Sequence, residues 1–229
     1  MNIFDGIQIP KVIFETQSKY NGIIQVFQVG STRKIKVNQV DQSVNHKSES
    51  GKRLVWGRVI EVLKDEEPNL KNILILGLGG GTVAHLVAEN FTGSEIVSVE
   101  IDQAMVDIAR NYFDIDKIPN HRVIVDDAMR VVVEPETFNL NPGSFQAVYV
   151  DIFIGEKYPD LGSSGNFIAA VKKMATSGGL VIFNRIYITE HQDDVNIFID
   201  SLSNFLKGIK CLIVAGHTNS DNILIYGRA

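Results

Sequence analysis

Asp151 closes the run Phe145-Gln146-Ala147-Val148-Tyr149-Val150, and a carboxylate there must be paired, cap a helix or do chemistry. Left buried and unpaired it would cost several kcal/mol. At the mouth of a site its pKa would rise toward neutrality, which suits a general base; capping a helix is the competing role. Upstream, Ile73-Leu74-Ile75-Leu76 runs into Gly77-Leu78-Gly79-Gly80-Gly81-Thr82. Such a loop lets a ligand lie against bare backbone, although glycines also serve tight turns with no ligand. About twenty residues on, Ile96 to Val99 ends at Glu100, an acid placed to accept ribose hydroxyls or to sit at a helix N-terminus. Asp126-Asp127-Ala128 follows the next apolar stretch. There Asp127, more than Asp126, can accept from an adenine amino group, and Ala128 lets the ring edge approach; plain N-capping is again the alternative. Together these residues describe a nucleotide or nucleoside site with one candidate base.

To converge, these residues need a fold that gathers strand ends on one edge. Strands are expected at 73–77, 96–100, 122–125, 145–151 and 180–184. Helices are expected between them at Thr82 to Glu89, Gln103 to Tyr112, Asp127 to Val133 and Phe167 to Ala175. A long helix over Glu190 to Leu206 and two strands at 210–215 and 222–227 complete the pattern. The connection His217-Thr218-Asn219-Ser220 is too short for anything but an antiparallel pair. The prediction is an α/β protein with a doubly wound, mostly parallel seven-stranded sheet whose last strand runs backwards. Ligands in such sheets bind beyond the carboxyl ends of the strands. From Val12 to Val44 the period-two alternation predicts a β-hairpin, so residues 1–50 read as a small N-terminal β module and 51–229 as the main domain.

The 229 residues are 45% apolar and 21% charged, an ordinary globular balance. The net charge of −5 provides no positive field to hold a phosphate backbone, so nucleic acid is not an expected partner. No stretch reaches the length of a membrane span, and Met1 to Gly6 lacks a basic-then-apolar leader pattern, so a cytoplasmic protein is expected. The single cysteine, Cys211, lies in Cys211-Leu212-Ile213-Val214 and is expected to be a buried, inert thiol. The five histidines show no ligand spacing, so no metal is expected.

Taken in order, Ser18-Lys19-Tyr20, Gln42-Ser43, the Leu74-to-Thr82 loop, Val99-Glu100-Ile101-Asp102, Asp127-Ala128, Val150-Asp151 and Ser177-Gly178-Gly179-Leu180 resemble the spermidine synthase family, in particular its spermidine-synthase-like branch. That family shares the methyltransferase-like Rossmann fold of class I S-adenosylmethionine-dependent enzymes. The resemblance implies that Gly77, Gly79 and Gly81 face the methionine-derived part of an adenosyl-sulfur donor, that Glu100 takes the ribose and Asp127 the adenine, and that Ala128 lines the ring. It further implies that Gln42 closes the site from the N-terminal module, that Asp151 deprotonates the attacking amine, and that the protein is a homodimer. The donor is then S-adenosylmethionine or its decarboxylated form, the acceptor a small molecule. The synthases carry an Asp where this chain has Gly80, and a second acid where it has Ile154; the segment Val55-Trp56-Gly57-Arg58 replaces a Tyr-His pair. Methyl transfer therefore fits at least as well as aminopropyl transfer to putrescine, the reaction of a true spermidine synthase. A non-catalytic nucleoside-binding or dimerising scaffold is a reading of another class. A nicotinamide oxidoreductase fits least, because its third fingerprint glycine would be Thr82.

Overall fold

The computed structural model describes residues 9–38, 40–153, 165–188, 192–216 and 221–229. The alternation in the first fifty residues builds β1 (Lys11–Ser18), β2 (Gly22–Val29), β3 (Thr32–Val37) and β4 (Val40–Val44). They form a four-stranded antiparallel sheet in sequential order, two strands more than the expected hairpin. Turns containing Gly22, Gly30 and Asn38, all at positive φ, reverse the chain each time. One face of this sheet buries Ile24, Val26, Ile35 and Val37.

Next come α1 (Glu49–Arg53), a short helix capped by Ser48, and α2 (Val55–Glu66). The main domain then runs β5 (Asn72–Leu76), α3 (Thr82–Asn90), β6 (Glu95–Glu100), α4 (Gln103–Phe113), β7 (His121–Val125), α5 (Ala128–Val133) and β8 (Phe145–Val150). It ends with α6 (Gly165–Met174), β9 (Ala175–Ile186), α7 (Gln192–Leu202), β10 (Lys207–Val214) and β11 (Asn222–Arg228). The seven-stranded sheet has the order β10-β11-β9-β8-β5-β6-β7, and β11 runs antiparallel to both its neighbours. The chain builds outward from β5 through β6 to β7, then returns to place β8 on the other side of β5. That reversal opens a crevice at the carboxyl ends of β5 and β8, the place where doubly wound sheets hold ligands.

Apolar side chains cover both faces of the sheet. Val59, Leu63, Val87 and Val106 of α2, α3 and α4 pack on one face against Ile73 and Ile75; Val131, Phe167, Val171 and Phe198 of α5, α6 and α7 pack on the other against Leu74 and Val148. Helix α4 is shared, because Met105, Ile108 and Phe113 close the core of the N-terminal sheet. Among the described residues no helix is long and apolar enough to cross a membrane.

Cys211 does not take the buried position expected from its apolar run. It is exposed, as is Ile213, while Val214 is buried. The cause is the topology: β10 is an edge strand covered on one face only, so its side chains alternate in exposure although the sequence reads apolar throughout.

The two sheets are tied by Asp102, the N-cap of α4. Its Oδ1 accepts from the Ala104 amide at 3.0 Å, and its Oδ2 accepts from Asn21 Nδ2 at 2.6 Å and from the Ser18 hydroxyl. At 3% exposure the carboxylate depends on these donors. Asp102→Ala removes the cap and both cross-links, and is expected to cost about 3 kcal/mol. Thermal denaturation reads that loss, and hydrogen exchange should rise first at the β1–β2 turn.

Candidate active site

The glycine loop leaves β5 under tight constraint. Gly77 has φ +100°, and its amide donates to the Val99 carbonyl at 2.8 Å. A Cβ on Gly77 would lie 2.1 Å from the Asp151 carbonyl oxygen, so loop and carboxylate segment touch through bare backbone. The Asp151 amide in turn donates to the Leu76 carbonyl at 2.7 Å. Gly79 lies under the N-terminal sheet: its Cβ position is 3.6 Å from the Gln42 carbonyl and 3.5 Å from Ser43 Cβ. Gly81 is the N-cap of α3, directed at Ile115. Thr82, the first residue of that helix, uses its hydroxyl to cross to β4, donating to the Val44 carbonyl at 2.5 Å and meeting Ser43 Oγ at 2.7 Å. The N-terminal sheet is therefore seated on the loop by Ser43 and Val44, and Gln42 is beside them.

Glu100 lies at the end of β6, where its Oε2 accepts from the Leu78 and Gly79 amides at 3.2 and 3.4 Å and its Oε1 from the Asp102 amide at 3.1 Å. Burial raises its pKa, and those three amides oppose the rise. On the next strand the Asp126 amide donates to the Glu100 carbonyl at 3.1 Å, bringing the β7 end alongside. Asp127 accepts from the Met129 amide at 2.7 Å as the N-cap of α5, and Ala128 opens that helix half-buried. Asp126 pairs instead with Arg130 at 2.8 Å.

Asp151, like Glu100, is a carboxyl raised by burial. Burial pushes its pKa up to about 6 from 3.8, against the Asn184 amide and the Tyr149 phenol, which lower it. Asn184 Nδ2 donates to Asp151 Oδ1 at 2.8 Å. Neither Asn184 nor the tether role of Asp102 stands out in the sequence. The signal for Asn184 was an amide ending Leu180-Val181-Ile182-Phe183 in a central strand, the same pattern that picked out Asp151.

The structure thus gathers Gly77, Gly79, Gly81, Gln42, Glu100 and Asp151 around one loop at one sheet edge, with Asp127 and Ala128 on the strand end beside Glu100. Ile154, which stands where the synthases carry a second acid, lies outside the described residues. At Gly80 a Cβ would meet Ser43 Oγ at 2.9 Å and the Ile35 and Phe113 Cδ1 atoms at 3.2 Å. An acid at this position would be driven into packed apolar side chains. Among the described residues no three His, Cys, Asp or Glu side chains converge to hold a metal.

The sheet order, the backward last strand and the loop at the β5 end define a methyltransferase-like α/β protein. Residues 58–227 match the spermine/spermidine synthase domain, and the chain belongs to that family. It is 30% identical over 179 residues to a polyamine aminopropyltransferase of Vibrio vulnificus, covering 76% of this chain but 58% of that protein's length. It is also 26% identical over 119 residues to an eEF1A lysine and N-terminal methyltransferase homolog of Drosophila pseudoobscura pseudoobscura, covering 51% of this chain and 18% of that protein. Among solved structures, a probable spermidine synthase from Corynebacterium glutamicum superposes with a TM-score of 0.76 at 19% identity, covering 95% of this chain and 80% of that one. Human methyltransferase-like protein 13 in complex with SAH gives 0.60 at 20% identity, covering 77% and 81%.

Proposed function

We propose that the chain is a group transferase that binds an adenosyl-sulfur donor over the glycine loop and moves an alkyl group to a small-molecule nucleophile. The observation that carries this reading is Asp151: a carboxyl held near pKa 6 at the same sheet edge as the loop and Glu100. In the reaction the nucleophile attacks the carbon bonded to the positive sulfur, the new bond forms as the carbon–sulfur bond breaks, and the proton on the nucleophile passes to Asp151. The sulfonium is already activated, so the protein's share is position and a proton acceptor ionised at neutral pH. Glu100 takes the ribose hydroxyls, Asp127 and Ala128 the adenine edge, Gly77, Gly79 and Gly81 the donor tail, and Gln42 covers the site. Residues 1–50 act as the covering module and 51–229 as the catalytic domain. Homodimeric assembly and a cytoplasmic location belong to the same reading.

Between donors the packing at Gly80 favours intact S-adenosylmethionine, and with it methyl transfer. The filled space at Gly80 leaves the donor amine without a carboxylate there, and no acid repels the donor's own carboxylate. Titration calorimetry with S-adenosylmethionine, its decarboxylated form and methylthioadenosine tests this. The expected result is tighter binding of S-adenosylmethionine than of the decarboxylated form, weakened about ten- to hundredfold by Glu100→Ala as two hydrogen bonds to a charged acceptor are lost. Absence of binding by all three at millimolar concentration ends the proposal; preference for the decarboxylated form returns the chain to aminopropyl transfer.

A further inference from the structure

Asn184 is itself held from behind. Its Oδ1 accepts from Asn222 Nδ2 at 3.0 Å, while its Nδ2 donates to Asp151 Oδ1 at 2.8 Å. The three residues come from three neighbouring strand ends: Asp151 follows β8, Asn184 is on β9, and Asn222 opens β11, where it pairs with Ile186. Asn184 is 2% exposed and Asn222 half-buried. A side-chain amide is polar at both ends, and turned the other way Asn184 would present its oxygen to a carboxylate, a repulsive contact. The carboxylate favours the NH2 end toward itself, and the Asn222 donor on the far side adds to that preference. The antiparallel β11 supplies that donor, which gives the backward strand a part in the site in addition to closing the sheet.

We infer that Asn222 is a positioning residue that acts through Asn184, locking its amide so that the NH2 end faces Asp151 and pins one oxygen of the carboxylate proposed to take the incoming proton. The part about the incoming proton rests on the function proposed above; the lock itself does not. The other forces on Asp151 come from its surroundings and its own strand: burial disfavours its charge, and the Tyr149 phenol on β8 favours it. Across the glycine loop, Glu100 on β6 is turned to the Leu78, Gly79 and Asp102 amides. Tyr149 and Asn184 stabilise the ionised form, so loosening the amide raises the midpoint at which Asp151 ionises.

The test is a carbon NMR titration of the full chain labelled at aspartate Cγ, with the Asp151 signal assigned by its loss in Asp151→Asn. Asn184→Leu removes one hydrogen bond and is expected to raise the midpoint by about one unit. Asn222→Leu keeps that bond but frees the amide to turn, for a rise of about half a unit. Asn222→Ser retains a donor and holds the midpoint near the wild-type value. A merely structural Asn222 would change stability without moving this titration. If Asn222→Leu or, should that variant unfold, Asn222→Ala keeps a native amide spectrum and the wild-type midpoint, the inference is wrong. The titration needs no donor or acceptor. Failure of every transfer assay therefore removes the proposed function and leaves the lock standing, whereas a flat titration removes the lock and leaves donor binding untouched. Where transfer is measured, the rate–pH profile of Asn222→Leu is expected to move to higher pH by the same half unit with its plateau preserved.

Discussion

Asp151→Asn is expected to lower the transfer rate by about 10²- to 10⁴-fold, the usual contribution of a positioned base, and at the same time to make the protein more stable. Both effects have one cause. In the folded chain Asp151 ionises near pH 6, and in the unfolded chain near 3.8. A group whose folded pKa is raised contributes stability that is complete below the unfolded value and is lost as pH climbs through the folded value. Above pH 6 the loss is about 3 kcal/mol, taking 1.36 kcal/mol per unit. Asparagine has the same shape, still accepts from Asn184, and carries no charge to desolvate. The difference in stability between variant and wild type should therefore be near zero at pH 3.8, grow between about 4 and 6, and level off above that.

Wild-type stability alone hides this trend. Burial lowers the pKa of His121 to about 4 and also lowers those of His46 and His85, which stack with ring centroids 4.0 Å apart. A depressed histidine works in the opposite sense: its contribution is present above 6.5 and lost as pH falls. The histidines thus raise stability with pH across the window in which Asp151 lowers it. Urea denaturation of both proteins at several pH values, compared as a difference, cancels the histidine part. A constant offset across pH 4 to 7 contradicts the raised pKa. An unchanged transfer rate shows that Asp151 is no base.

The parts of this architecture that repeat along the chain were legible in the sequence. Alternating strands and helices predict the seven-stranded sheet, and the short connection before the last strand predicts its reversal. Glu100, Asp127 and Asp151 stand out because an acid closing an apolar strand is locally anomalous. What stayed hidden depends on which elements become neighbours. Cys211-Leu212-Ile213-Val214 reads as core, and only the position of β10 at the sheet edge turns two of its side chains outward. Asp102 sits two residues after Glu100, but its bonds to Ser18 and Asn21 span more than eighty residues. Asn222 is the extreme case, an ordinary amide in sequence whose role depends on β11 being inserted between β9 and β10. Gly80 is intermediate: the missing acid is visible in the sequence, and the structure supplies the reason, since Ser43, Ile35 and Phe113 fill the space it would need.

Gly77→Ala carries the second large expected effect, and Gly93→Ala is its internal control. Both positions have positive φ, +100° and +82°, so either substitution forces a side chain into backbone conformations that L residues rarely adopt. They differ in what the new methyl meets. At Gly93 nothing lies within 4 Å, and strain alone is expected to cost about 1 kcal/mol. At Gly77 the methyl would stand 2.1 Å from the Asp151 carbonyl oxygen and 2.8 Å from its carbon. Neither partner can withdraw cheaply, because the Gly77 amide is bonded to Val99 and the Asp151 amide to Leu76. Relief requires prising the loop from the β8 end, which breaks one of those bonds or shifts Asp151 relative to Glu100. The expected cost is about 4 kcal/mol or more, in the range reserved for a clash in packed structure. Because the displaced atoms belong to the residue proposed as the base, transfer and donor binding should fall even at temperatures where Gly77→Ala remains folded, while Gly93→Ala binds donor as the wild type does. If the two variants lose equal stability in urea denaturation, the close approach between the loop and Asp151 does not exist in solution, and the common placement of donor and base fails with it.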